Sequence, residues 1–363
     1  MAHIIIHAKW VMIFMLCVIS MKSQVFVIHG QQAVPCLFFM GDSLSDNGNN
    51  NMRNTLAKAN YLPYGIDYPG GPTGRFTNKK NVPDYLAQSL GFADSIPPFA
   101  NATGSSILRG VNYASGGAGI LDDSGRALGD VISLNRQLSN HQITITRLSP
   151  MLGPSRVTAY LNKCLYAVNM GSNDYINNYL QPQIYPSSKL FTPDQFAKRL
   201  IQQYSQQFET LYNSGARKVA VFGLGQLGCI PQLLASTRAN ASGCVDYVNN
   251  YVQLFNDRLK PLVDDLNANL PGAKFTFINI TSISLGLDVF ALGITVFNAP
   301  CCVVSSGGQC VPNQVPCSNK DRYIYYDNYH PTDVINQATA ARSYNAISPS
   351  DASPFDINQL AQQ

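Results

Sequence analysis

Apolar runs of strand length recur along this chain with helix-patterned stretches between them: Cys36 to Met40, Ile107 to Ala114, Leu165 to Met170, Lys218 to Phe222 and Lys274 to Ile280. A short apolar run bounded by turn signals reads as a strand buried on both faces. Strands that alternate with helices belong to a parallel sheet covered on both sides, so the pattern points to an α/β fold. Thr192-Pro193-Asp194 opens one helix with a capping hydroxyl and a proline in the first turn. Apolar Phe196, Leu200, Tyr204, Phe208 and Leu211 then recur every three or four residues, and Gly215 stops the pattern near Ser214. A second long pattern runs from Val245 to about Leu270, with Val248, Val252, Phe255, Leu259 and Leu262 as core, and Pro261 is expected to kink or divide it. With no internal repeat and no linker, residues 31–363 read as one domain. The stretch from Asn47 to Val82, rich in Asn, Gly and Pro, is too long for a simple connection and is expected to border a functional site.

With 13% charged and 45% hydrophobic residues, the chain has the composition of a globular protein with a large core. A net charge of +4, without a block of five basic residues, sets nucleic-acid binding aside. Residues 1–30 follow a secretory signal pattern: Lys9, an apolar run from Trp10 to Ile19, then small and polar residues. Lys22 and Gln24 interrupt the run before it reaches the length of a membrane span. Loss of that leader removes Cys17 and leaves Cys36, Cys164, Cys229, Cys244, Cys301, Cys302, Cys310 and Cys317, an even set that suits disulfides in a secreted, extracellular protein. Cys229 with Cys244 closes a loop, the 301–317 cluster reads as locally paired, and Cys36 and Cys164 each open a strand, from which neighbours can be stapled. Adjacent Cys301 and Cys302 lack the usual zinc spacing. Sequons at Asn101, Asn240 and Asn279 fit the same compartment.

Gly41-Asp42-Ser43-Leu44 follows the first apolar run directly, so Ser43 stands where a buried strand breaks into a polar turn. Ligands of open α/β sheets bind at such carboxyl ends, although Asp and Ser are also ordinary turn residues. A serine nucleophile needs an adjacent base, usually a histidine held by a carboxylate. Of five histidines, His3, His7 and His29 lie in or beside the leader, and His141 stands in a polar run that reads as solvated surface. His330 remains, three residues after Asp327 in Asp327-Asn328-Tyr329-His330-Pro331, a spacing that lets the carboxylate hold one imidazole nitrogen and leave the other for Ser43. Oxyanion donors come from two further strand ends: the glycine loop Ser115-Gly116-Gly117-Ala118-Gly119, and Gly171-Ser172-Asn173-Asp174, whose Asn173 carries a side-chain amide. The elbow G-x-S-x-G of the α/β-hydrolases is absent from the chain.

Four blocks, Gly41 to Asn50, Gly110 to Gly119, Gly171 to Tyr175 and Asp327 to Pro331, together resemble the plant GDSL esterase/lipase family within the SGNH hydrolases. The likeness extends to Pro72-Thr73-Gly74-Arg75-Phe76 and the Cys301-Cys302 segment, and departs at Ser45, where the family often has Val. It implies a three-layer α/β/α flavodoxin-like domain with a central parallel sheet, and secretion to the apoplast or cell wall. It also implies Ser43 as nucleophile, Asp327 and His330 completing a triad, and Ser43, Gly117 and Asn173 around the oxyanion, with Gly116 as the alternative to its neighbour. The expected activity is a carboxylic ester hydrolase that cleaves lipid or cell-wall acyl or acetyl esters through an acyl-serine, without metal or organic cofactor. The expected partner is a small-molecule, lipid or polysaccharide ester; nothing in the sequence fixes an oligomeric state. Acyl transfer by the same triad and a non-catalytic glycosylated wall or lipid-binding protein are the alternatives.

Overall fold

The structure, a computed structural model, describes residues 32–237 and 243–363. The expected leader and the Asn240 sequon therefore lie outside the described residues. Strands β1 (Leu37–Gly41), β2 (Leu165–Asn169), β3 (Lys218–Phe222) and β4 (Lys274–Ile278) form a parallel sheet in that order, extended by a short antiparallel β7 (Ala352–Ser353) beside β4. β5 (Val296–Pro300) and β6 (Tyr323–Tyr325) pair separately. Successive side chains of a strand point to opposite faces, and the core divides accordingly. Phe38, Met40, Tyr166, Val168, Val219, Val221 and Phe275 face one side. There they meet α2 (Leu134–Leu152), α3 (Pro193–Asn213) and α5 (Asp246–Asn269). Leu37, Phe39, Leu165, Ala167, Ala220 and Phe222 face the other. α1 (Val82–Ser89), α6 (Ile280–Leu285), α7 (Asp333–Tyr344) and α8 (Ile357–Gln362) cover that face. The fold is the expected three-layer α/β/α arrangement. A short helix, α4 (Pro231–Ser236), borders the sheet's carboxyl edge after β3. No helix among the described residues is long and apolar enough to cross a membrane.

Three local expectations differ. Ile107 to Ala114 is not a full strand: Gly104–Arg109 is a 3₁₀ turn, and only the following residues run beside β1, where Phe39 and Tyr113 N–H donate to Val111 and Phe39 carbonyls. Gly110 makes the transition at φ +114°, and a Cβ there would stand 1.9 Å from the Leu37 carbonyl oxygen. Asn112 turns its side chain inward, donating to Ser45 O and accepting from Ala114 N–H, and the bonds to β1 continue to Ser115, whose N–H donates to the Gly41 carbonyl. Second, α5 passes through Pro261 as one helix. Pro261 is on the exposed face, where the carbonyl that loses its donor can meet water. Third, His141 is buried in α2, not solvated. It lies against Phe38, Tyr113 and Tyr166, with the Tyr113 hydroxyl 3.1 Å from Nδ1 and the Tyr166 hydroxyl 3.5 Å from Nε2.

Disulfides join Cys36–Cys164, Cys229–Cys244, Cys301–Cys317 and Cys302–Cys310. The first ties the starts of β1 and β2 across 128 residues.

Burial pushes the His141 imidazole down to about 3, whereas an unfolded histidine titrates near ~6.5. Below that pH the unfolded chain binds a proton that the native state refuses. Stability on this account falls as the pH drops from ~6.5 toward 3, by up to ~1.4 kcal/mol per pH unit. Urea unfolding of the disulfide-intact protein between pH 4 and 6.5 is expected to show an acid slope shallower by that amount in His141→Gln. Equal slopes would contradict the assignment.

Candidate active site

The end of β1 is pinned by a buried amide. Gly41 N–H donates to Gln137 Oε1 at 2.9 Å, and Gln137 Nε2 donates back to the Gly41 carbonyl at 2.8 Å. The chain then turns at Asp42, whose Oδ1 accepts from Leu44 N–H at 3.0 Å, and this leaves Ser43 half-buried beyond the sheet edge. Burial pushes the Asp42 carboxyl up to about 7.

Ser43 Oγ stands 2.8 Å from His330 Nε2, although the two are 287 residues apart. On the far side of the ring, His330 Nδ1 is 2.7 Å from Asp327 Oδ2 and 2.8 Å from Oδ1. Asp327 is fully buried and accepts three further donors: Tyr329 N–H and His330 N–H at 2.8 Å and the Tyr64 hydroxyl at 2.5 Å. Cys310 N–H donates to the Tyr64 oxygen at 3.1 Å, so the phenol proton is directed to the carboxylate. The Phe76 ring lies 4.9 Å from the imidazole and limits its tilt.

Two other loops reach the same cleft of about 100 Å³, which Ser43, Gly117, Asn173 and His330 line together. After β1, Asp46 Oδ1 accepts Gly48 and Asn49 N–H at 2.7 and 2.8 Å, while Oδ2 accepts Gly116 N–H at 3.0 Å. Asn50 Nδ2 donates to the Gly116 carbonyl at 2.9 Å. In a trans peptide the carbonyl and the next N–H point opposite ways, so this bond turns Gly117 N–H away from Asn50. Gly117 takes φ +81°, a left-handed conformation that glycine adopts without steric cost. Among the described residues, neither Gly117 N–H nor Ser43 N–H has a hydrogen-bond partner. Asn173 Nδ2 donates to Ala118 O at 2.9 Å and, in a longer bond, to Asp42 Oδ2 at 3.4 Å, while its Oδ1 accepts from Asn177 at 2.7 Å. Asp174 holds the other end of the glycine loop through Ile120 N–H, Leu121 N–H and the Ser124 hydroxyl, at 2.8, 3.0 and 2.7 Å. Burial pushes both Asp46 and Asp174 up to about 6, against the lowering effect of these donors.

All five residues singled out from the sequence thus converge, and the 47–82 segment contributes Ala57 and Phe76 to the cleft wall. Sequence reasoning missed Tyr64, Asp46, Asn50 and Asp174 as supports. The last three stand inside the matched blocks, while nothing local marks Tyr64. Of the sequons, Asn101 is exposed; Asn279 is half-buried and caps α6 by accepting from Ser282 N–H at 3.1 Å.

Serine, imidazole and carboxylate in line, with amide donors beside the serine, form an arrangement that can attack an acyl carbon and stabilise the resulting oxyanion. Residues 37–343 match the family GDSL-like Lipase/Acylhydrolase. One GDSL esterase/lipase of Arabidopsis thaliana is 46% identical over 360 residues, 98% of either chain. Another is 45% identical over 339 residues, covering 92% of this chain and 94% of its own.

Hydrogen bonds to charged groups contribute about 1.5–3 kcal/mol, equivalent to roughly 10–100-fold in rate when the charge is needed in the reaction. Tyr64→Phe is therefore expected to slow covalent labelling of Ser43 by a fluorophosphonate by on the order of 10-fold or more while the fold persists. Unchanged labelling would show that the phenol only fills space.

Proposed function

The chain belongs to the GDSL-like lipase/acylhydrolase family and is a carboxylic ester hydrolase, and from that premise we propose that Ser43 is the nucleophile, His330 its base and Asp327 the carboxylate that orients the base. The observation that carries this reading is the unbroken line Ser43 Oγ, His330 Nε2, His330 Nδ1, Asp327, at 2.8 and 2.7 Å. As Ser43 Oγ bonds to the ester carbonyl carbon, its proton passes to His330 Nε2. The carbonyl oxygen, now negative, meets Ser43 N–H, Gly117 N–H and Asn173 Nδ2, which exchanges its long bond to Asp42 for the oxyanion. Because Gly116 N–H is bonded to Asp46, Gly117 is the glycine donor in this scheme. When the carbon–oxygen bond to the alcohol breaks, His330 returns its proton to the departing oxygen. A water molecule then gives a proton to His330 and its oxygen to the acyl carbon, and the acid leaves as Ser43 recovers its hydrogen.

The substrates in this reading are lipid or cell-wall acyl esters outside the cell. A leader over residues 1–30 precedes one catalytic domain over 31–363, with glycosylation at Asn101, Asn240 and Asn279. Four disulfides support the oxidising compartment. The first sequon is supported by the exposure of Asn101.

Turnover of an acetyl ester tests the scheme. Ser43→Ala and His330→Ala are expected to lose at least about 10³-fold in kcat, and Asn173→Ala about 10²–10³-fold. His141→Gln should retain near-parental kcat, since His141 belongs to the core; a loss equal to that of His330→Ala would sink the assignment of the base. Product analysis in the presence of an added alcohol is expected to give free acid as the main product, and predominant transesterification would replace hydrolysis by acyl transfer.

A further inference from the structure

Beside the cleft that holds Ser43 lies a second, larger cavity of about 490 Å³, within the range of small-molecule sites. The two are contiguous: Leu44, Ser172, Leu227, Ile230 and Tyr329 line both. Leu44 directly follows Ser43, and Ser172 directly precedes Asn173, so the larger chamber opens beside the serine and the amide donor. None of its lining residues is charged. Its floor is the carboxyl end of β3, at Phe222 and Leu224, and its walls include Ile280 of α6 and Ile335 of α7. Phe297 lines the chamber yet is 40% exposed, and its ring stands 6.0 Å from Phe290, which is 78% exposed. The lining is mostly apolar, with the amides of Asn169, Gln226, Asn298 and Asn336 among its polar groups, and extends from an exposed aromatic pair to residues beside the serine.

We propose that this chamber binds the acyl chain of the substrate, which makes the protein a hydrolase of medium- to long-chain acyl esters rather than of acetyl esters. The inference rests on Ser43 as nucleophile. A hydrocarbon chain suits a cavity that offers apolar walls and no charge. The acyl half is chosen because it stays attached to Ser43 through both chemical steps, whereas the alcohol departs after the first. A chain held beside Leu44 and Ser172 remains buried while water attacks, and the leaving alcohol exits through the cleft lined by Ala57 and Phe76.

The test uses monomeric p-nitrophenyl esters from acetyl to decanoyl. In the parent enzyme kcat/KM is expected to rise about two- to fourfold per added methylene until the chamber is full, as burial of hydrocarbon predicts. Leu234→Trp from α4 and Thr339→Trp from α7 fill the chamber from two walls, away from the catalytic groups. Each is expected to keep acetyl turnover within about twofold of the parent, which also reports an intact fold, and to lower decanoyl turnover at least about tenfold. A flat chain-length profile in the parent, or equal loss on acetyl and decanoyl esters in both variants, overturns the proposal. So does a second series, acetyl esters of lengthening alcohols, if it reproduces the rise. Absence of turnover of every ester from acetyl to decanoyl in the parent would instead count against the hydrolytic reading itself.

Discussion

The site depends on buried carboxylates that bind backbone amides. A loop that ends a strand has no ladder to hold it, and its N–H groups must find acceptors or water. Asp46 supplies acceptors to two loops at once: its Oδ1 closes the turn after β1 at Gly48 and Asn49, and its Oδ2 draws Gly116 across from the glycine loop. Asp174, one residue beyond Asn173, does the same for Ile120 and Leu121. The proposed nucleophile, glycine donor and amide donor are thereby fixed relative to one another through two side chains rather than through the sheet alone. Burial disfavours the charged form of each carboxylate, and three aligned donors offset part of that cost. A carboxylate is the acceptor able to satisfy several N–H groups from different segments without leaving a donor of its own unpaired.

The remaining half of the site has to be carried back from the far end of the chain. The segment with Asp327 and His330 belongs to no sheet layer, and its placement comes from cross-links. Cys301–Cys317 and Cys302–Cys310 knit the chain ahead of β6, and Cys301 and Cys302 N–H donate to the carbonyls of Tyr325 and Tyr326. The Tyr326 hydroxyl donates to Pro63 O at 2.6 Å and the Tyr64 hydroxyl to Asp327. Cys310, itself in a disulfide, donates to Tyr64. The long 47–82 segment therefore serves as the wall against which the C-terminal block is registered. That explains its length and its Asn, Gly and Pro content: it must follow an irregular path while keeping its amides satisfied.

Much of this was legible in the sequence because the informative features are local. β3 begins and ends where its apolar run does, the start of α3 is written in Thr192 and Pro193, and Ser43 and Asn173 each follow a strand within a few residues. What was illegible depends on contacts distant in sequence. Tyr64 stands in a loop with no periodicity, and only the closed fold brings it to Asp327, 263 residues away. Ile107 to Ala114 has a strand's composition, but the 3₁₀ turn over Gly104–Arg109 and the break at Gly110 leave only the residues from Val111 on to bond with β1.

His141 shows how a local reading misleads when the wrong period is used. Its immediate neighbours Ser139, Asn140 and Gln142 are polar, and a window of adjacent residues reports solvent. In a helix the neighbours that matter are three, four and seven away. Leu134, Leu138, Thr144 and Leu148 lie on the face His141 shares, and all are buried with it. The imidazole then occupies a place where a charge has no partner, which is why burial holds it neutral and why it is unsuited to exchange protons with a substrate at the sheet edge. The two histidines among the described residues are separated by environment more than by motif. One is packed into the aromatic core between helix and sheet; the other sits in a carboxylate-lined notch at the cleft, where its second nitrogen faces Ser43.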